Sequence, residues 1–225
     1  MISSTRGIFI VFEGIDCSGT STQARFLTSN LRKCGRRVHL TSEPSHGPVG
    51  QLIRSYFSGR VDSTFSRSAQ DKFFGCLFAA DRLDHIFNPT DGVMRQLASA
   101  IDVVSTRYKF SSLAYNAETE EERDFVIHAN SELPDPDLLI YLDCPLDVAL
   151  ARMRERITRE TYEKDRRKLQ NALANFSREI QQFPGPKIAI DASLSPEEVA
   201  NAVFDFVCEQ KGPLDKLTGV GRPHD

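Results

Sequence analysis

The chain has 225 residues, 40% of them apolar and 26% charged, a make-up that excludes fibrous and wholly disordered classes and fits an ordinary globular protein. Its 28 Lys and Arg stand against 31 Asp and Glu, a net charge of -3, so no overall positive field is present to grip a nucleic-acid polymer. Purely apolar runs such as 8–12 and 138–142 are five residues long, far below the ~20 that a membrane-crossing helix needs.

In chain order, the amino terminus MISSTRG leads straight into IFIVF at 8–12 and then meets Glu13. That apolar stretch is shorter than the ~7–15 residues of a secretion signal core, and a cytoplasmic protein is expected. Further β-branched and aromatic runs follow at 37–41, 101–105, 138–143 and 187–191, each separated from the next by enough chain for one or more helices. Runs apolar at nearly every position are buried on both faces, which predicts an α/β fold with a five-stranded parallel sheet and helices on both faces. One domain over residues 1–210 is expected, because a compact α/β chain of this size buries ~70% of its unfolded surface around one core.

Helices are predicted from Thr20 towards Cys34, over 66–88, over 162–183 and from Ser195 to Glu209. In the third of these, Leu169, Ala172, Leu173, Phe176 and Ile180 form an apolar stripe among many charges. The last has the clearest start: Ser195 as cap, Pro196 in the first turn and Glu198 completing a capping box. Residues 211–225, rich in Gly and Pro and without periodicity, are expected to form a flexible tail. The five cysteines at 17, 34, 76, 144 and 208 contain no C-x-x-C pair and read as incidental thiols.

Chemistry enters directly after the first strand, in FEGIDCSGTSTQ. Gly14 and Gly19 frame four residues, and Thr20, Ser21 and Thr22 open the helix that follows. This is the frame of a phosphate-binding loop, in which glycines let successive backbone N–H groups turn inward and the helix N-terminus adds its dipole. Gly14, Asp16, Cys17, Ser18, Gly19, Thr20, Ser21 and Thr22 are therefore the candidate phosphate cradle, with the Ser21 hydroxyl the candidate Mg²⁺ ligand. Thr20 stands where that loop normally carries lysine. On these residues alone, a plain glycine turn between strand and helix is the competing reading.

Six ordered segments extend the pattern: VFEGID at 11–16, SEP at 42–44, LFAADR at 77–82, RYKFSSLAY at 107–115, PDLLIYLD at 136–143 and IDAS at 190–193. Together they resemble the thymidylate kinase family, P-loop nucleoside-monophosphate kinases, from Ile8 to Val207. The resemblance implies a P-loop kinase fold that moves the γ-phosphoryl group of ATP, with Mg²⁺, onto dTMP, and a homodimer formed through helices beside the sheet. It implies substrate contacts from Asp16, Glu43, Phe78, Arg82, Arg107, Ser111 and Tyr115. Arg82 and Arg107 would clamp the acceptor phosphate, since a guanidinium binds phosphate bidentately, and Phe78, one turn before Arg82, would stack on the pyrimidine.

Each residue has a plainer alternative: an ion pair for either arginine, core packing for Phe78, backbone capping for Asp16 and a rigid turn for Glu43-Pro44. Beyond the fourth strand, Arg152, Arg154, Arg156 and Arg159 crowd into eight positions, where the resemblance implies a mobile lid over about 152–164. Arg154, Arg156, Arg159 and Arg107 would then serve the transferring phosphoryl group. The sequence departs from the family's pattern at Thr20, at Thr106, where an aspartate is expected before Arg107, and at Thr161, in place of a lid arginine. Two outcomes stay open: charge supplied from elsewhere, by the lid arginines or Lys109, or a homologue that binds nucleotides with little turnover. A kinase for another deoxynucleotide is the third reading.

Overall fold

A computed structural model of the chain describes residues 6–61, 67–117, 119–153 and 159–210. Five strands, β1 (Phe9–Gly14), β2 (Val38–Ser42), β3 (Asp102–Thr106), β4 (Leu138–Asp143) and β5 (Lys187–Asp191), form one sheet in the order β2-β3-β1-β4-β5. Every pairing is parallel. Adjacent residues on a strand point to opposite faces. Ile10 and Val11, Val103 and Val104, and Leu139 and Ile140 are all at 0% exposure, so the central strands are covered above and below, as their unbroken apolar runs require. At the edge, β5 alternates instead, with Lys187, Ala189 and Asp191 exposed and Ile190 buried, and its lysine suits an edge that must not pair further.

The helices are α1 (Thr20–Lys33), α2 (Pro48–Phe57), α3 (Arg67–Phe87), α4 (Val93–Ala98), α5 (Lys109–Tyr115), α6 (Glu120–Ala129), α7 (Leu146–Met153), α8 (Arg159–Gln182) and α9 (Pro196–Gln210). Helix α1 packs on α9, β2 and β3, and α5 on α8. The expected stripe of α8 is the face that enters the core, with Leu169, Ala172 and Phe176 at 1% exposure or less. Helix α9 begins as its residues predict: the Glu198 amide donates to Ser195 Oγ at 3.2 Å, and Glu198 Oε2 accepts the Ser195 amide at 3.0 Å. The expected tail, 211–225, lies outside the described residues.

From β1 the chain runs out to the sheet's edge at β2, returns through β3, and only then fills the other flank with β4 and β5. Connections therefore diverge at the C-terminal end of β1, the position at which open parallel sheets receive ligands.

Candidate active site

The loop after β1 is shaped by residues with positive φ: Gly14 at 156°, Cys17 at 64° and Gly19 at 100°. At Gly14 a Cβ would lie 2.6 Å from Ser18 Oγ and 2.9 Å from the Leu142 carbonyl oxygen, so the strand can turn here only without a side chain. Gly19 precedes α1, whose start has no side-chain cap and no acidic residue in its first turn. The opening N–H groups of this 14-residue helix thus leave a positive end for an anion. Ser18 Oγ is buried with no hydrogen-bond partner among the described residues, an orphaned polar atom that suits a phosphate oxygen. Ser21 is exposed on the first turn and Thr22 half-buried. Thr20 is 8% exposed, a short neutral side chain turned largely inward.

The end of β3 reaches across to this loop. Arg107 has φ 73°, held as its amide donates to the Phe12 carbonyl at 2.8 Å. One guanidinium nitrogen, Nη1, donates to the Gly14 carbonyl at 2.5 Å and to Ser111 Oγ at 3.2 Å. The other, Nη2, donates to Asp16 Oδ1 at 2.6 Å. The guanidinium sits 5.5 Å from the Tyr115 ring centroid, and Tyr115 Oη accepts the Asp16 amide at 3.0 Å. Four residues expected at the site, Asp16, Arg107, Ser111 and Tyr115, are therefore one connected group.

That group includes a residue the sequence reading passed over. Glu13 is at 0% exposure. Its Oε1 accepts the amides of Tyr108 at 2.8 Å and Ser111 at 3.1 Å, and its Oε2 accepts the Ser111 hydroxyl at 2.5 Å. Burial pushes the carboxyl up to about 7, against the opposing field of Arg107 and these hydrogen bonds. The available signal was a carboxylate closing an otherwise apolar strand.

A second cluster surrounds Arg82, the other arginine expected at the acceptor phosphate. Arg82 is 1% exposed, with Nε donating to Glu43 Oε2 at 2.6 Å and Nη1 to Asn130 Oδ1 at 2.5 Å. Its Nη2 donates to the Tyr108 carbonyl at 3.3 Å and to Ser112 Oγ at 3.2 Å. These bonds use four of the five N–H donors of a guanidinium, so Arg82 ties α3 to β2, α5 and α6 and has little left for a phosphate. Glu43 is correspondingly committed: its other oxygen lies 3.3 Å from His85 Nδ1. The Phe78 ring is half-buried beside Phe57 of α2, with centroids 6.1 Å apart.

Of the arginine-rich stretch, Arg152 closes on the loop, with Nη1 3.4 Å from the Cys17 carbonyl and Nη2 2.9 Å from that of Ala192. Arg154 and Arg156 lie outside the described residues, and Arg159 begins α8, so part of the range expected for a lid is helical. Lys109, considered as a replacement cation, is instead paired with Asp135 at 2.7 Å. Thr106 is buried and its carbonyl accepts the Glu43 amide at 2.9 Å. Among the described residues, no helix is long and apolar enough to cross a membrane.

The profile of the family described as Thymidylate kinase matches residues 12–203. A probable thymidylate kinase of Pyrobaculum aerophilum is 36% identical over 207 residues, covering 88% of this chain and 95% of that protein. A second, from Pyrococcus horikoshii, is 34% identical over 205 residues, covering 90% and 96%. A thymidylate kinase of Trichlorobacter lovleyi is 31% identical over 211 residues, covering 89% and 96%.

Proposed function

The chain belongs to the thymidylate kinase family, and we propose that it transfers the γ-phosphoryl group of ATP to the 5′-phosphate of dTMP. The observation that carries this reading is Arg107, which joins the Gly14 carbonyl to Asp16 and so sets the end of β3 against the phosphate loop. Phosphoryl transfer through a loose transition state needs two nucleotides aligned and their charge countered, with no covalent intermediate on the protein.

The loop supports the donor role. The loop from Gly14 to Thr22 and the positive end of α1 would receive the triphosphate, and Ser18 Oγ would gain the partner it lacks. Ser21 would hold Mg²⁺, which supplies positive charge to the phosphates when bound. Arg107 would meet the acceptor phosphate with its Nη2 face, Tyr115 and Ser111 would border the sugar and base, and Phe78 and Glu43 are the remaining candidate contacts. Arg154, Arg156 and Arg159 would cover the transferring group from a lid over about 152–164. Leu52 and Phe57 of α2, 42% and 61% exposed, support pairing of two copies through helices beside the sheet. The charge balance and the absence of long apolar runs support a cytoplasmic location.

The test is ADP release, coupled to a reporter enzyme, across dTMP, dUMP, dCMP, CMP and AMP. Fastest turnover with dTMP is expected. Binding of both dTMP and ATP without ADP release would overturn the kinase reading in favour of a nucleotide-binding homologue without turnover, and preference for another monophosphate would reassign the acceptor.

A further inference from the structure

We propose that Glu13 is a positioning residue that sets where Arg107 stands relative to the phosphate loop; this deepens the phosphotransfer reading and rests on it. Glu13 is the penultimate residue of β1, next to Gly14, yet its side chain makes its bonds away from the loop. Both carboxylate oxygens are spent on the start of α5: the amides of Tyr108 and Ser111 on one, the Ser111 hydroxyl on the other.

The hydroxyl makes this more than a helix anchor. A serine has one proton to donate, and Ser111 gives it to Glu13 at 2.5 Å while its oxygen accepts from Arg107 Nη1 at 3.2 Å. An acceptor-only carboxylate fixes that direction. The same Nη1 donates to the Gly14 carbonyl, so the guanidinium is held between the loop and the serine, with Nη2 turned to Asp16. Glu13 thus acts on Arg107 through Ser111, from the residue beside the loop that Arg107 must face.

The choice of a carboxylate is costly for folding. Its direct partners are two amides and a hydroxyl, with no cation in contact, and burial pushes it up to about 7. The charged and titratable groups around it are Arg107 above α5, the phenols of Tyr115 on α5 and Tyr141 opposite it on β4, and Asp16 beyond Arg107. Of these only Arg107 is a cation. A neutral side chain of the same shape would be easier to bury, so what the carboxylate adds is the fixed proton direction at Ser111.

The experiment compares wild type with Glu13→Gln, Ser111→Ala and the double variant by steady-state kinetics with dTMP and ATP varied separately, by dTMP calorimetry without ATP, and by thermal melting. Glu13→Gln is expected to keep its fold, to weaken dTMP binding and raise the KM for dTMP about tenfold, and to leave the KM for ATP within about twofold. Ser111→Ala is expected to show the same split, and the double variant to be no worse than either single one, because both break one relay. In wild type, kcat/KM for dTMP should rise with pH through about 7 more steeply than in Glu13→Gln, where only the substrate's own ionisation near pH ~6 remains. Equal losses for ATP and dTMP, additive losses in the double variant, or unchanged kinetics with an altered melting temperature would overturn the proposal. A wild type that binds dTMP without phosphorylating it sinks the kinase reading alone, and the tenfold loss in calorimetry then decides Glu13. A wild type that fails to bind dTMP overturns both.

Discussion

Replacing Arg82 by methionine separates two roles that the sequence leaves confounded, a grip on the acceptor phosphate and a structural cross-tie. The structure makes the second role quantitative. Arg82→Met keeps the apolar stem but strands Glu43, whose side chain is 2% exposed, and removes the donors to Asn130, Ser112 and the Tyr108 carbonyl. Breaking one partner out of a buried ion pair costs about 3–5 kcal/mol, a large share of the roughly 5–15 kcal/mol by which a domain is stable. At about 2–4 °C per kcal/mol for a chain of this size, the melting temperature should fall by roughly 6–20 °C.

Urea and thermal unfolding measure this directly, and the double variant Arg82→Met with Glu43→Gln should recover part of the loss by removing the stranded charge. The dTMP affinity of whatever folded protein remains should change far less than the stability. The opposite pattern, a melting temperature within about a degree of wild type with dTMP binding abolished, would show that Arg82 leaves its buried partners to reach the ligand, and the cross-tie argument would fail.

Two further expectations follow from the loop and the strand that leads into it. A buried glutamic acid whose folded value is about 7 against an ordinary 4.5 favours the folded state fully below pH 4.5 and loses that contribution as pH rises to about 7. Relative to wild type, Glu13→Gln should therefore gain about 3 kcal/mol between those limits, and a pH-independent difference in matched urea titrations would contradict it. Thr20→Lys restores the missing cation of the loop and should raise kcat by ~10²–10³ if that charge is what turnover lacks, with a smaller change in ATP affinity; a slower enzyme would mean that another cation, Arg152 first, already fills the place.

The sheet was legible because its signal is local. Runs such as IFIVF and LLIYL have no polar face, and only burial between two layers accommodates that. The turn after β1 was legible because glycine spacing reports backbone conformation, and Gly14 and Gly19 do carry positive φ values. Side-chain partnerships were not, because they join elements far apart in sequence. The i, i+4 spacing of Phe78 and Arg82 fixes their common helical face but not what that face meets; Asn130 comes from a segment with no signal of its own, and the motif at 107–115 does not show that Ser112 turns to Arg82. The pairing of Lys109 with Asp135 is hidden for the same reason. Glu13 was missed for a different one: at the end of an apolar strand a carboxylate reads as the exit to solvent, whereas here it turns into the protein.

The two halves of the Arg107 guanidinium differ in how firmly they are held, and that difference suits a site that must admit a phosphate. Nη1 is held by the Gly14 carbonyl and by Ser111, whose hydroxyl is itself fixed by the fully buried Glu13, so this half of the guanidinium is tied into a buried network. Nη2 pairs with Asp16, whose side chain is 55% exposed, and an ion pair open to solvent on one side is worth at most about 1 kcal/mol. An arriving phosphate dianion offers a stronger charge-assisted bond than this carboxylate does. The Asp16 contact is therefore the exchangeable one and the Ser111 contact the fixed one, so in the proposed function Arg107 would pass from Asp16 to an acceptor phosphate without losing its place against the loop. With Thr106 neutral, no carboxylate at the end of β3 competes for that exchange.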